Sequence, residues 1–259
     1  MIKVSHEVPI CLLEHSLKFN DYQYCLPHLL DQNEQYREFF YRCKEEGQYI
    51  IMDNSLHELG HAYDESRLLH WINELQPNEF IVPDVWEDKT QSIVKAREWS
   101  NIKLPKEVTK VAVVQGKNYE EAIIGYQTYK DLGYKKIAFS YGASYYNDIF
   151  PHINKDFGKA MGRLWMISSL YKNRVITKKD RIHLLGTAMP FEFKFYEDYS
   201  FIESIDTSNP IMATLDGIRY NHLGIHDKPK SNMNDHFYTD KIDYELLDYN
   251  IETFKKLII

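Results

Sequence analysis

The chain has 259 residues, 44% of them hydrophobic and 27% charged, and a formal net charge of −7. Those values exclude a disordered or fibrous chain and supply a core large enough for one α/β barrel. The acidic balance excludes a uniformly basic nucleic-acid binder while leaving room for local basic patches.

In chain order, short β-rich apolar runs alternate with longer segments of helical period. The runs are "VPICLLEHS" (8–16), "QYIIMDNS" (48–55), "EFIVPDV" (79–85), "KVAVVQG" (110–116), "KKIAFSYG" (135–142), "RIHLLGTA" (181–188) and "FIESIDTS" (201–208). Helices are expected over 31–47, 64–77, 88–102, 118–133 and 154–173, with a closing helix over 243–258. In 118–133, Ala122, Ile123, Tyr126, Tyr129 and Leu132 recur at three- and four-residue steps, and Gly133 stands where a C-cap glycine belongs. Apolar runs without alternation belong to strands buried on both faces, hence to a parallel sheet. Seven such βα units predict an α/β fold, a (β/α)8 TIM-like barrel, with a doubly wound sheet as the other solution. The eighth strand is not evident, and 210–237 reads as loop, so the last βα unit is expected to be irregular. No repeat or linker divides the chain, and one domain over 1–259 is expected.

Cys11, Cys25 and Cys43 form no CxxC or CxC pair, so neither a disulfide framework nor a cysteine zinc site is expected. No stretch approaches membrane-spanning length and the N-terminal run does not read as a signal peptide. A cytoplasmic setting without membrane contact follows as the expectation.

In barrels of this class, ligands meet the C-terminal ends of the strands. Those ends carry Glu14 and His15, then Asp53 and Asn54, Asp84, Gln115 and Gly116, then Ser140, Tyr141 and Gly142, Gly186, and finally Asp206. One aspartate after a strand is most simply a helix cap. Three aspartates and a glutamine, each directly after an apolar run, point instead to a shared site. Three carboxylates can divide nucleophilic attack, proton transfer and ligand hydrogen bonding among them. A glutamine amide donates and accepts, as the edge of a purine-like base requires. No GxGxxG, P-loop or GxSxG is present, so dinucleotide, nucleoside-triphosphate and esterase chemistry gain no support.

Five of these blocks, in order over residues 50–210, resemble the tRNA-guanine transglycosylase superfamily, whose members exchange guanine for a 7-deazaguanine. "IIMDNS" is similar to its strand ending in D-S-G-G, and "FIVPDV" to a block ending in aspartate. "VAVVQG" resembles its V-Q-G, "RIHLLGTAMP" its L-M-G-V-G-x-P, and "SIDTSNP" its F-D-x-x-x-P. The resemblance implies Asp206 as nucleophile on C1′, forming a covalent aspartyl–sugar intermediate, and Asp53 as general acid/base. It implies Asp84 and Gln115 as readers of the base edge, with Gly116 admitting the ligand to the backbone and Ser140 and Gly142 adding contacts. Leu185, beside Gly186, takes the place of a family methionine packing on the base, and His57 that of a stacking aromatic. No cofactor and no metal are implied.

The chain departs from the tRNA-acting members. It has no C-x-C-x-x-C…H zinc site, since no cysteine follows Cys43, and "NPIM" replaces P-T-R after the nucleophile block. The compact form looks more like the phage and bacterial branch that inserts 7-deazaguanines such as preQ0 into DNA, so DNA is preferred over tRNA. The expected partners are that polymer and a free 7-deazaguanine base. A helper that opens the duplex fits as well, because a stacked base must leave the helix before C1′ can be attacked.

Two other features compete. His57, Glu58 and His61 form a literal H-E-x-x-H, a zinc-hydrolase signature if both histidines share one helix face and a residue such as Glu79 or Glu87 is the third ligand. Gly60 within the motif weakens that helix. A segment carrying Lys155, Lys159, Arg163, Lys172, Arg174, Lys178, Lys179 and Arg181 against Asp156 and Asp180 is either a backbone-binding surface or a solvated helix side. A barrel that binds a nucleobase or nucleic acid without catalysis is the remaining alternative.

Overall fold

The computed structural model describes residues 2–225, 229 and 231–258. Eight strands form one parallel sheet: β1 Lys3–His6, β2 Gln23–Cys25, β3 Ile50–Met52, β4 Glu79–Ile81, β5 Thr109–Val114, β6 Lys136–Ser140, β7 Ile182–Leu185 and β8 Ile202–Thr207. Their order is β1-β8-β7-β6-β5-β4-β3-β2, so β1 and β2 stand at its two ends. With helices between successive strands, this is the (β/α)8 TIM-like class expected from the apolar runs.

Six of the seven runs became strands. The exception is 8–16, where a 3-10 turn (Ile10–Leu12) leads into a short helix (Leu13–Ser16). Glu14 and His15 therefore ride on a helix and do not end a strand. Leu12 packs with Phe19, Ile211, Leu247 and Ile251, a cluster that rewards helical rather than extended geometry. The strand lies just upstream, where "KVSH" shows too little apolar character to announce itself. β2 is only three residues long and opens on a buried glutamine, Gln23, which concealed it equally well. Together β1 and β2 complete the eight.

Residues 210–237 were expected to be loop, but Asn209–Leu215 is a helix. Pro210 suits a first helical turn, and Ile211, Met212, Ala213 and Thr214 are all buried, so no polar face signalled helical period. The rest of that stretch includes His226, Asp227, Lys228 and Lys230, which lie outside the described residues.

The long helices begin where their side-chain caps fall. Asn33, Asp64, Asp88, Asn118, Asn154 and Asp243 each accept a hydrogen bond from a first-turn backbone N–H. Gly133, at φ +87, follows the helix Tyr119–Asp131 in the left-handed conformation that glycine adopts without penalty. Among the described residues no helix is long and apolar enough to cross a membrane.

By their internal contacts the residues fall into two compact units. One comprises Met1–Asp21, Ser140–Lys179 and Leu184–Ile259; the other comprises Tyr22–Phe139 and Asp180–His183. Each contains its own group of strand-end polar residues.

Candidate functional site

In the unit built from β2 to β6, three strand ends are joined by hydrogen bonds between their side chains. Asp53 follows β3, whose three residues are all buried, and its backbone N–H bonds to the carbonyl of Cys25 on β2 at 2.8 Å. Its carboxylate accepts from the Tyr24 hydroxyl at 2.9 Å and from the Ser55 N–H at 2.9 Å. Ser55, at φ +58, also holds the His28 ring through its hydroxyl at 2.7 Å. Asn54 donates to the Val82 carbonyl at 3.0 Å and to one oxygen of Asp84 at 2.6 Å. Gln115, at the end of β5, donates to the other Asp84 oxygen at 2.6 Å, while its own carbonyl accepts from the Glu87 N–H at 2.9 Å. Asp53, Asn54, Asp84 and Gln115 are all buried.

Burial sets the charge state of these carboxyls. It pushes Asp53 above the usual carboxylate range, against the Tyr24 hydroxyl and the neighbouring backbone N–H groups that favour the ionised form. Asp84 is pushed up to about 7, chiefly by burial; the two amide donors oppose the shift and the nearby Asp53 charge adds to it. Asp84 thus sits where a carboxyl can both give and take a proton near neutrality.

A groove of about 640 Å³ opens beside Asp84, lined by Leu56, the 60–66 loop and the 83–86 loop. Trp86, 40% exposed, is among the residues that line it. Asp64 and Glu65 also line it, with Lys95 bonded to Glu65 at 2.6 Å. A cleft of that size accommodates a planar heterocycle.

The simple helix-cap reading of the aspartates does not describe them. The caps after β3 and β4 that serve full helices are Asp64 and Asp88, and no side chain caps the helix after β8. Gly116 was expected to admit a ligand to the backbone. A Cβ there would meet Glu121 Cβ at 2.9 Å and the Ala122 nitrogen at 3.3 Å, so what needs the glycine is the close approach of the following helix.

In the other unit Asp206, buried near the end of β8, accepts from the Gly186 N–H at 3.3 Å. Gly186 follows Leu185 at the end of β7 and has φ +59, and a Cβ on it would lie 2.4 Å from the Tyr141 ring. Tyr141 donates its N–H to the Leu185 carbonyl at 2.9 Å, and Gly142 donates to the Ser140 hydroxyl at 3.2 Å. Ser5 on β1 is the register partner of Asp206, and its buried hydroxyl has no hydrogen-bond partner among the described residues. The sequence reading missed Tyr24 and Ser5, because β1 and β2 were not recognised as strands. Recognising a strand at 23–25 would have aligned Tyr24 with Ile51, two residues before Asp53 on the same face.

Two sequence signals come apart. The helix bearing the H-E-x-x-H runs only Leu56–Leu59 and ends at Gly60 with φ +74, so His57 and His61 do not stand one helical turn apart. Both are exposed. Glu79, a proposed third ligand, is spoken for: Lys136 bonds it at 2.6 Å and Arg181 at 2.9 Å. Among the described residues no three His, Cys, Asp or Glu side chains gather as a metal site.

The basic segment likewise divides. Arg163 is wholly buried and forms a two-pronged pair with Glu192 at 2.8 and 3.0 Å, so it cannot meet a phosphate. Arg181 is occupied by Glu79. Lys155 and Lys159 lie in the opening turns of the helix Lys155–Lys172. Lys172 closes that helix, which is about 27 Å long, Arg174, Lys178 and Lys179 follow it before β7, and all four are exposed. One continuous phosphate-binding strip is therefore not what the segment forms.

The fold and these strand ends define an α/β barrel with buried carboxylates and amides at the ends where barrel enzymes hold their ligands. No family model matches the chain, and no curated protein matches it.

Proposed function

We propose that the protein is a base-exchange transglycosylase that replaces guanine in nucleic acid, DNA in preference to tRNA, with a 7-deazaguanine such as preQ0. The observation that carries the reading is the Asp84 carboxylate clamped between the Asn54 and Gln115 amides beside a groove. A carboxylate offers about four acceptor positions, of which these amides use two. The remaining two suit the N1–H and exocyclic amine of a guanine-type base.

In this reading an Asp206 oxygen attacks C1′ of the target nucleoside. The C1′–N9 bond breaks, its electron pair leaves with guanine, and Asp53, whose protonated form burial favours, supplies the proton. The incoming base then gives its N9 proton to the Asp53 carboxylate and attacks C1′, and Asp206 is released. The net reaction exchanges one base for another and needs no cofactor. We place it in the cytoplasm, the host's if the chain is phage-encoded, acting on single-stranded polymer or with a partner that opens the duplex.

Incubation with labelled guanine and either DNA or tRNA tests this directly. Label is expected in DNA; label in tRNA alone would move the substrate assignment, and label in neither would end the transglycosylase reading. The polymer surface is testable separately. Replacing Lys155 and Lys159 with Gln should lower the slope of log affinity against log salt by about one per lost phosphate contact. Replacing Lys178 and Lys179 should leave that slope unchanged, as anisotropy titrations at several salt concentrations will show.

A further inference from the structure

Arg163 reaches the proposed nucleophile through one peptide group. Its guanidinium, 0% exposed, is neutralised by Glu192, whose carboxylate is also held by the Tyr196 hydroxyl at 2.6 Å. Two further donors go to consecutive carbonyls, Leu185 at 3.0 Å and Gly186 at 3.0 Å. The Leu185 carbonyl and the Gly186 N–H are opposite ends of the same planar peptide. That N–H is the one donated to Asp206.

We propose that Arg163 is a positioning residue for Asp206, fixing the 185–186 peptide so that its N–H is aimed at the carboxylate; the proposal builds on the reading of Asp206 as nucleophile. Three features support it. A buried guanidinium is costly unless its donors are used, and here a bidentate carboxylate and two carbonyls take four of its five N–H groups. Pulling on the Leu185 carbonyl polarises the peptide and strengthens the N–H as a donor. The peptide is also pinned from the other side, since the Tyr141 ring fills the space a Cβ at Gly186 would need. Lysine, a point charge without the planar fork, cannot reproduce the four bonds.

The test is Arg163→Lys, checked for folding by circular dichroism and thermal melting. The Asp206 carboxyl is followed by carbon-13 NMR with labelled aspartate, its signal assigned with Asp206→Asn. Asp206 is expected to titrate at higher pH in the variant, because the carboxylate loses a well-aimed donor. In parallel, kcat for guanine exchange should fall by about 10–100-fold while KM for the free base stays within about twofold, the range seen when a supporting hydrogen-bond partner is removed. Should Arg163→Lys not fold, Tyr196→Phe loosens Glu192 more gently and should shift the titration in the same direction. A folded variant with unchanged Asp206 titration overturns the proposal. If the titration shifts but the parent protein exchanges no guanine, the positioning role stands and the transglycosylase reading falls.

Discussion

Asp206→Asn should abolish guanine exchange, lowering its rate by at least about a thousandfold, the scale of loss when a covalent nucleophile is removed. The substitution is nearly isosteric, and the side-chain carbonyl of asparagine still accepts the Gly186 N–H seen at 3.3 Å. Folding and the β1–β8 pairing, in which Ser5 stands opposite residue 206, should therefore survive. What is lost is the anion able to form a bond to C1′. Denaturing gels of the parent stalled without incoming base should show a protein–nucleic acid adduct, and the variant should show none. An adduct that persists in Asp206→Asn would assign the nucleophile elsewhere. Equal exchange by parent and variant would remove covalent catalysis at this position altogether. A barrel that only binds its ligand predicts no adduct in either protein, so the same gel separates the enzymatic reading from the non-catalytic one.

Sequence patterning located the strand-end polar residues because buried parallel strands are near-continuous apolar runs, and the first polar residue after each run marks its end. Asp53, Asp84, Gln115 and Asp206 were all found this way, and each is buried at its strand end. The long helices were legible from their three- and four-residue apolar period, and the structure adds an Asp or Asn whose side chain caps the first turn of each of six. Where the pattern is short it fails. β1 and β2, with four and three residues, contain serine, histidine and glutamine in buried positions. Arg163 was misplaced because a basic residue in a basic segment reads as surface. Its partner Glu192 is 29 residues away and its other acceptors are backbone carbonyls, which carry no side-chain signature. The H-E-x-x-H, weighed as an alternative and doubted for its Gly60, is a motif without its geometry, since its helix stops at that glycine. Asp84, the carboxyl proposed to read the base edge, supplies the second decisive test.

Asp84→Ala should weaken binding of the free base by at least about a hundredfold, since two hydrogen bonds to a charged acceptor, each worth roughly 1.5–3 kcal/mol, are lost. The parent should show a pH dependence that the variant lacks. Asp84 titrates at about 7, raised from an ordinary value of 3.8 mainly by burial. Only its ionised form offers both oxygens as acceptors, so base affinity should rise between pH 6 and pH 8 and level off above. Because the bound N–H donors favour the carboxylate, binding at pH 6 should release a proton, visible in calorimetry as an enthalpy that varies with the buffer. The folded protein pulls the other way. A carboxyl with a raised folded value binds its proton more tightly in the native state than in the unfolded one. Its contribution to stability is therefore full below about pH 3.8 and is lost as pH rises through 7. At neutral pH the ionised half of the Asp84 population is a carboxylate that burial disfavours, and a ligand with two N–H groups relieves it. Affinity that stays flat across pH 6–8 in the parent, or an equal pH dependence in Asp84→Ala, would mean that the base is read by some group other than this carboxylate.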